Sequence, residues 1–134
     1  MNVAKRHLEG ATTIVGYVGA TPTRSIVIPL LPPQGSWVIT GVVQAVRADG
    51  LFGPVTFFPQ FTGRCVKGVA TLNSTGEIPT EPVDGGDAQR FQPGGLSLVG
   101  ADGHGLQLEI ALTGVADVAI CWAWALDVLL FATP

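Results

Sequence analysis

Two histidines, His7 and His104, and two cysteines, Cys65 and Cys121, are the only imidazole and thiol groups in this 134-residue chain. With so few of them, a Ser or Cys triad is a poor expectation. Asp102-Gly103-His104-Gly105 has the composition of a metal or acid–base site. It also has the composition of a tight hairpin tip, since the two glycines permit positive φ and Asp and His tolerate it. A metal site brings further His, Cys or carboxylate ligands to one point, and none stand beside this tip, so it reads as a turn. Asp84-Gly85-Gly86-Asp87 offers carboxylates without the alternating oxygen ligands and terminal bidentate Glu of a calcium loop, and reads as solvated loop. The serines Ser25, Ser36, Ser74 and Ser97 lack a Gly-x-Ser-x-Gly elbow, and no glycine-rich phosphate cradle followed by Lys is present. A carboxylate pair for glycoside cleavage is defined by its spacing in space, but Glu109 and Asp117 read as surface and turn residues. Trp37, Trp122 and Trp124 could stack on sugars, yet their regular spacing makes them core. The chain is therefore expected to be no enzyme, with no catalytic residues, no cofactor and no metal.

The elements that would have to position any site are strands. Leu106, Leu108, Ile110 and Leu112 alternate with Gln107, Glu109, Ala111 and Thr113, giving a sheet with one dry and one wetter side. Gly114-Val115-Ala116-Asp117 turns the chain. The return strand puts Val118, Ile120, Trp122, Trp124, Leu126, Val128 and Leu130 on one face, with Ala119, Cys121, Ala123, Ala125, Asp127, Leu129 and Phe131 on the other. A strand whose second face is also apolar calls for a cover, and a second copy of the chain would supply one. Gly and Pro fall between the apolar runs as punctuation. Strands are expected near 11–18, 23–31, 36–47, 54–67, 68–73, 95–99, 105–113 and 117–131, with residues 74–94 as one long acidic loop. The fold class that follows is all-β: a single antiparallel β-sandwich over residues 11–134, jelly-roll-like, of about eight strands. Residues 1–10 are expected to be an extended N-terminal arm, because nothing downstream offers to pair with them and ten residues are too few for a stable helix.

Composition sets the partners. Only 13% of residues are charged against 47% hydrophobic, the net charge is −3, and Lys and Arg cluster nowhere beyond Lys5-Arg6. Nucleic acid and anionic membrane are excluded as expected partners. The longest apolar run, Val118 to Ala132, is broken by Asp127 and falls short of the roughly 20 residues of a membrane-spanning helix. The start, Met1 to Gly10, lacks the apolar core of a secretion signal. The expectation is a soluble chain made without export, whose excess apolar surface is met by an assembly.

Several stretches taken together resemble a β-sandwich module of tailed-bacteriophage virion proteins, tail-fibre and related surface proteins among them. They are Ala20-Thr21-Pro22-Thr23, Ile26-Val27-Ile28-Pro29-Leu30 with its Pro/Gly turn, Trp37 to Arg47, Gly68-Val69-Ala70-Thr71-Leu72, Leu106 to Gly114, and Ile120-Cys121-Trp122-Ala123-Trp124-Ala125-Leu126. The pattern covers most of 11–131. It departs from the family at Pro59, in the acidic 76–87 loop and in its scarcity of Lys and Arg. The resemblance implies a non-enzymatic structural protein of the virion, assembled in the host bacterial cytoplasm. A copy standing nearly alone suits a capsid decoration (cement) protein that stabilises the head. The alternative is a tail-fibre or tail-tip subunit or adaptor that binds a receptor or carbohydrate through loop 74–94 and Trp37.

On that reading the partners are the chain itself, as a homotrimer selected by local threefold sites, and the major capsid protein or another virion protein. Lys5, Arg6, His7 and Leu8 are the expected docking arm, free in solution and ordered on the particle. Phe57, Phe61, Cys121, Leu129 and Phe131 are the expected oligomer contact. Cys65 and Cys121 are expected to stay reduced in a bacterial cytoplasm.

Overall fold

A computed structural model describes residues 2–16, 23–28, 31–50, 54–75, 80–82, 96–99, 108–114 and 117–133. Ten strands appear in it, against about eight expected: β1 Asn2–Val15, β2 Thr23–Ile28, β3 Gly35–Arg47, β4 Val55–Phe57, β5 Gln60–Val66, β6 Val69–Thr75, β7 Thr80–Pro82, β8 Leu96–Val99, β9 Leu108–Thr113 and β10 Ala119–Ala132. All pairings are antiparallel. The larger sheet runs β1-β10-β3-β4-β7, with β5 on the other half of the β3 edge and β6 beside β5; the smaller runs β2-β9-β8. β1 lies on β10 while β2 lies on β9, so the first two strands wrap against the last two, one pair in each sheet. That nesting is the jelly-roll arrangement of a β-sandwich. No helix among the described residues is long and apolar enough to cross a membrane.

Alternation fills the space between the sheets. From the larger sheet come Trp37, Ile39, Val43, Phe57, Phe61, Cys65, Ile120, Trp122, Leu126 and Val128; from the smaller, Ile26, Ile28, Leu108, Ile110 and Leu112, all in one buried cluster. Each large side chain taken out of water stabilises the fold by roughly 1.5–3 kcal/mol before the entropy of ordering it is subtracted. Phe57 stacks on Trp122 with ring centroids 5.8 Å apart. Trp37, fully enclosed, lies across Gly63 of the neighbouring β5, where any side chain would collide with the indole. The expected 54–67 strand is split at Phe58-Pro59 into β4 and β5, because proline cannot donate to a ladder. Lys67 and Gly68 both take positive φ, 51° and 79°, and close β5 onto β6 as a two-residue hairpin.

Three expectations are corrected here. Residues 2–10 are no separate arm: with residues 11–15 they form β1, paired one for one with β10 from Asn2↔Ala132 to Val15↔Ala119 without a bulge. The physical reason is that an edge strand is held by its backbone, and half of it can lie beyond the core with no apolar alternation to advertise it. The 74–94 loop is also not one loop, since β6 runs to Thr75 and Thr80–Pro82 pairs with β4. Finally, Phe57 and Phe61 are 4% and 1% exposed, so neither is available to an oligomer contact; their strands turn them inward to the core.

Candidate docking face

The strands that bury one set of side chains present the other set on the outside of the larger sheet, and the registers fix its layout. Read across β1, β10, β3 and β5, the rows are Val3-Phe131-Ser36-Arg64, Lys5-Leu129-Val38-Thr62 and His7-Asp127-Thr40-Gln60. They continue as Glu9-Ala125-Val42, then Ala11-Ala123-Gln44 with Thr56 of β4, and Thr13-Cys121-Val46. Two apolar patches, Phe131-Leu129-Val38 and Ala125-Ala123-Val42, lie on either side of the polar row His7-Asp127-Thr40-Gln60. Ala123, Ala125 and Val42 are exposed, and Cys121, Leu129, Phe131, Val38 and Val46 are half-buried by their neighbours alone. Its relief is low. One open depression is lined by Val42, Gln44, Ala123, Trp124 and Ala125, and another lies between Ser36, Arg64, Val66, Phe131 and Thr133. Neither depression brings acid, base and nucleophile together.

Among the described residues, charge gathers where β1 lies beside β10. His7 Nδ1 is 2.8 Å from Asp127 Oδ1, His7 Nε2 is 2.6 Å from Glu9 Oε1, and Lys5 Nζ is 3.9 Å from Asp127 Oδ1. The hydrogen bond to Asp127, then that to Glu9, raises the His7 pKa above the ordinary 6.5. The same bond to His7, then the Lys5 charge, lowers Asp127 below 3.8. All these side chains are open to solvent, which screens them, so the cluster sets local charge more than stability. At the other side of the face Gln44 Nε2 donates to Thr56 Oγ1 at 3.1 Å; off this face, at the end of β3, Arg47 Nε sits 2.9 Å from Asp49 Oδ2.

The expected site residues are distributed as follows. Lys5 and His7 are on the outer face; Arg6 and Leu8 point to the opposite side of β1, with Leu8 half-buried against the core. Cys121, Leu129 and Phe131 share the outer face of β10, as the alternation implied, whereas Phe57 and Phe61 do not. Trp37, expected to face ligand in the carbohydrate reading, is enclosed in the core. Asp102 to Gly105 and Asp84 to Asp87 lie outside the described residues. Reasoning from sequence missed Glu9 as a partner of His7, and missed Val42 and Gln44 on β3. The alternation of Trp37, Ile39, Val43 and Ala45 with Val38, Thr40, Val42, Gln44 and Val46 carries the signal for the latter.

Both cysteines are free, Cys65 buried on the inner side of the larger sheet and Cys121 on its outer side, 3.6 Å from Thr13 Oγ1. Two thiols on opposite faces of one sheet have no geometry for a disulfide. Among the described residues no group of three or more His, Cys, Asp or Glu side chains could hold a metal ion. The chain matches no protein-family model, no curated protein and no solved structure.

Proposed function

We propose that this chain is a non-enzymatic structural subunit of a bacteriophage virion, a capsid decoration (cement) protein that lies across neighbouring capsomers and stabilises the head. The observation that carries the reading is the outer face of the larger sheet: low in relief, apolar at Leu129 and Val38 on one side and at Ala125, Ala123 and Val42 on the other, with the polar row His7-Asp127-Thr40 between them and Lys5 and Gln44 beside them. Apolar area interleaved with polar groups is the composition of a protein–protein contact that is made and released. The resemblance of the strand-and-turn pattern to phage virion modules is what suggests the virion context, and the proposed partners are the major capsid protein and further copies of the chain. Neither nucleic acid nor membrane is a partner in this reading, in line with a net charge of −3 and few cations.

The rival reading, a tail-fibre or tail-tip subunit that binds a receptor glycan, loses Trp37 as a stacking platform because that ring is in the core. Co-sedimentation with empty phage heads, beside a glycan-binding assay on the same preparation, separates the two. Saturable binding to heads without sugar binding supports decoration; sugar binding without head binding supports the tip.

A further inference from the structure

Among the described residues β1 is the end strand of the larger sheet and its outer edge pairs with none of them, an edge unusual in length and regularity. Its fourteen residues contain no proline, and its register on β10 has no bulge. At the other end of that sheet's main path, β7 is three residues long and finishes on Pro82. Natural sheets blunt their edges by such means, because a long bare edge templates another strand.

The phase of the ladder shows which groups are free. Gly16 N–H donates to Val118 O at 3.0 Å, on the same register as β1 with β10. Even-numbered residues of β1 therefore exchange hydrogen bonds with β10, while Val3, Lys5, His7, Glu9, Ala11 and Thr13 turn their N–H and C=O groups to the open edge. We propose that β1 pairs antiparallel with β1 of a second copy about a two-fold axis at Leu8, joining two larger sheets into one.

Charge selects that register. With the axis at Leu8, His7 faces Glu9 of the other copy, Lys5 faces Ala11 and Val3 faces Thr13, and Leu8 meets its own copy. An axis at Glu9 sets two carboxylates against each other, an axis at His7 sets two imidazoles together, and an axis at Arg6 sets two guanidinium groups together. Like charges directly opposite are unfavourable. The chosen register also extends the row across the seam as Asp127, His7, Glu9, alternating acid and base.

A second observation agrees. The half-buried Trp124 indole lies over Gly10 on the inner side of β1, so close that a Cβ there would stand 2.4 Å from the ring. In the Leu8 register, Arg6 of the other copy lies opposite Gly10, which puts its guanidinium against that half-buried indole. Arginine on the face of a tryptophan is a favourable contact. The pair would present two outer faces side by side, which suits a clamp, and its number is two where symmetry of particle sites suggested three. The edge itself is independent of what the outer face binds.

Light scattering after size exclusion tests it on the full chain. The expected mass is twice 13.9 kDa at micromolar concentration. Ala11→Pro removes an edge-directed N–H without touching the β10 ladder, so it should give a monomer of unchanged near-ultraviolet circular dichroism. Arg6→Ala should raise the dimer dissociation constant by about tenfold, the size of one good side-chain contact. Leu8→Cys in a Cys121→Ser chain reports the register directly. The two sulfurs would sit on a non-hydrogen-bonded pair about 4.5 Å apart at Cα, within disulfide range, and should cross-link on mild oxidation. A monomeric or trimeric wild type, or a dimer that survives Ala11→Pro and yields no Leu8→Cys cross-link, overturns the proposal. A wild-type dimer that fails to bind heads would count instead against the decoration reading.

Discussion

Replacing Gly63 by alanine probes the seat of Trp37, on which both the sandwich core and the rejection of Trp37 as a ligand platform depend. A Cβ at residue 63 would stand 2.1 Å from Trp37 Cζ2 and 2.3 Å from the Thr71 carbonyl oxygen. Ordinary contact lies above 3.4 Å, so more than an ångström must be found on two sides. The ring is fully enclosed and the carbonyl belongs to the β6 backbone, so neither can give way cheaply. Overpacking of this kind costs about 1–3 kcal/mol, and the doubled contact puts this case at the upper end. At about 4 °C per kcal/mol for a domain of this size, Tm should fall by roughly 12 °C. Gly50→Ala is the matched control: φ is +73° with nothing within 4 Å, so only left-handed strain is added. That strain is about 1 kcal/mol, or roughly 4 °C. Thermal unfolding followed by near-ultraviolet circular dichroism reads both. Trp37→Phe in the Gly63→Ala chain should recover part of the loss, because the two positions share one space. Equal Tm values for Gly63→Ala and Gly50→Ala, or no coupling to Trp37→Phe, would refute the packing argument.

Other outcomes can be stated with their measurements. His7 should titrate above pH 6.5 by NMR, and Asp127→Asn should bring the midpoint down while Glu9 still holds it above the ordinary value. A wild-type midpoint at or below 6.5 would remove the hydrogen bond from the account. The raised His7 pKa contributes stability below pH 6.5 that is lost as pH rises through the folded value. The lowered Asp127 pKa contributes above pH 3.8 and is lost as pH falls through its folded value. The pair therefore helps most between those limits, and added salt should shrink the effect because both groups are exposed. A thiol reagent should label Cys121 in the native protein and reach Cys65 only on unfolding, since burial shields Cys65 and pushes its thiol pKa up. Equal labelling rates would place Cys65 elsewhere.

How far the fold could be read from the residues varied with the kind of signal each strand carries. β10, β9 and β3 alternate one apolar set with a second set, and the structure turns the first set of β10 and β3 inward along each strand, while in β9 Ala111 of the second set is buried as well. β4 and β5 carried it too: Val55, Phe57, Phe61 and Cys65 against Thr56, Gln60, Thr62 and Arg64 names the inner face, and the expectation that Phe57 and Phe61 face outward overlooked it. β1 is different in kind. From Asn2 to His7 every residue is exposed on either side, so no side-chain period marks the strand. It exists because the fourteen residues of β10 offer hydrogen bonds along their whole length. β7, three residues inside an acidic stretch, is likewise held by its β4 neighbour rather than by any pattern of its own. The docking face was half legible for the same reason. Cys121, Leu129 and Phe131 stand on one strand and share its period, whereas the neighbours that complete the face, Val42, Gln44 and Glu9, are brought beside them by register.

The central claim is that the outer face of the larger sheet is a docking surface for a virion partner. Ala123→Glu combined with Val42→Glu places two carboxylates in one of its apolar patches and leaves the inner face untouched. Co-sedimentation of this variant and the wild type with empty phage heads tests the claim most directly. The account expects saturable binding by the wild type and a loss of about a hundredfold or more in the variant, with Tm within a few degrees, as befits charge forced into a dry contact. Equal binding by both, or no binding by the wild type, would contradict it.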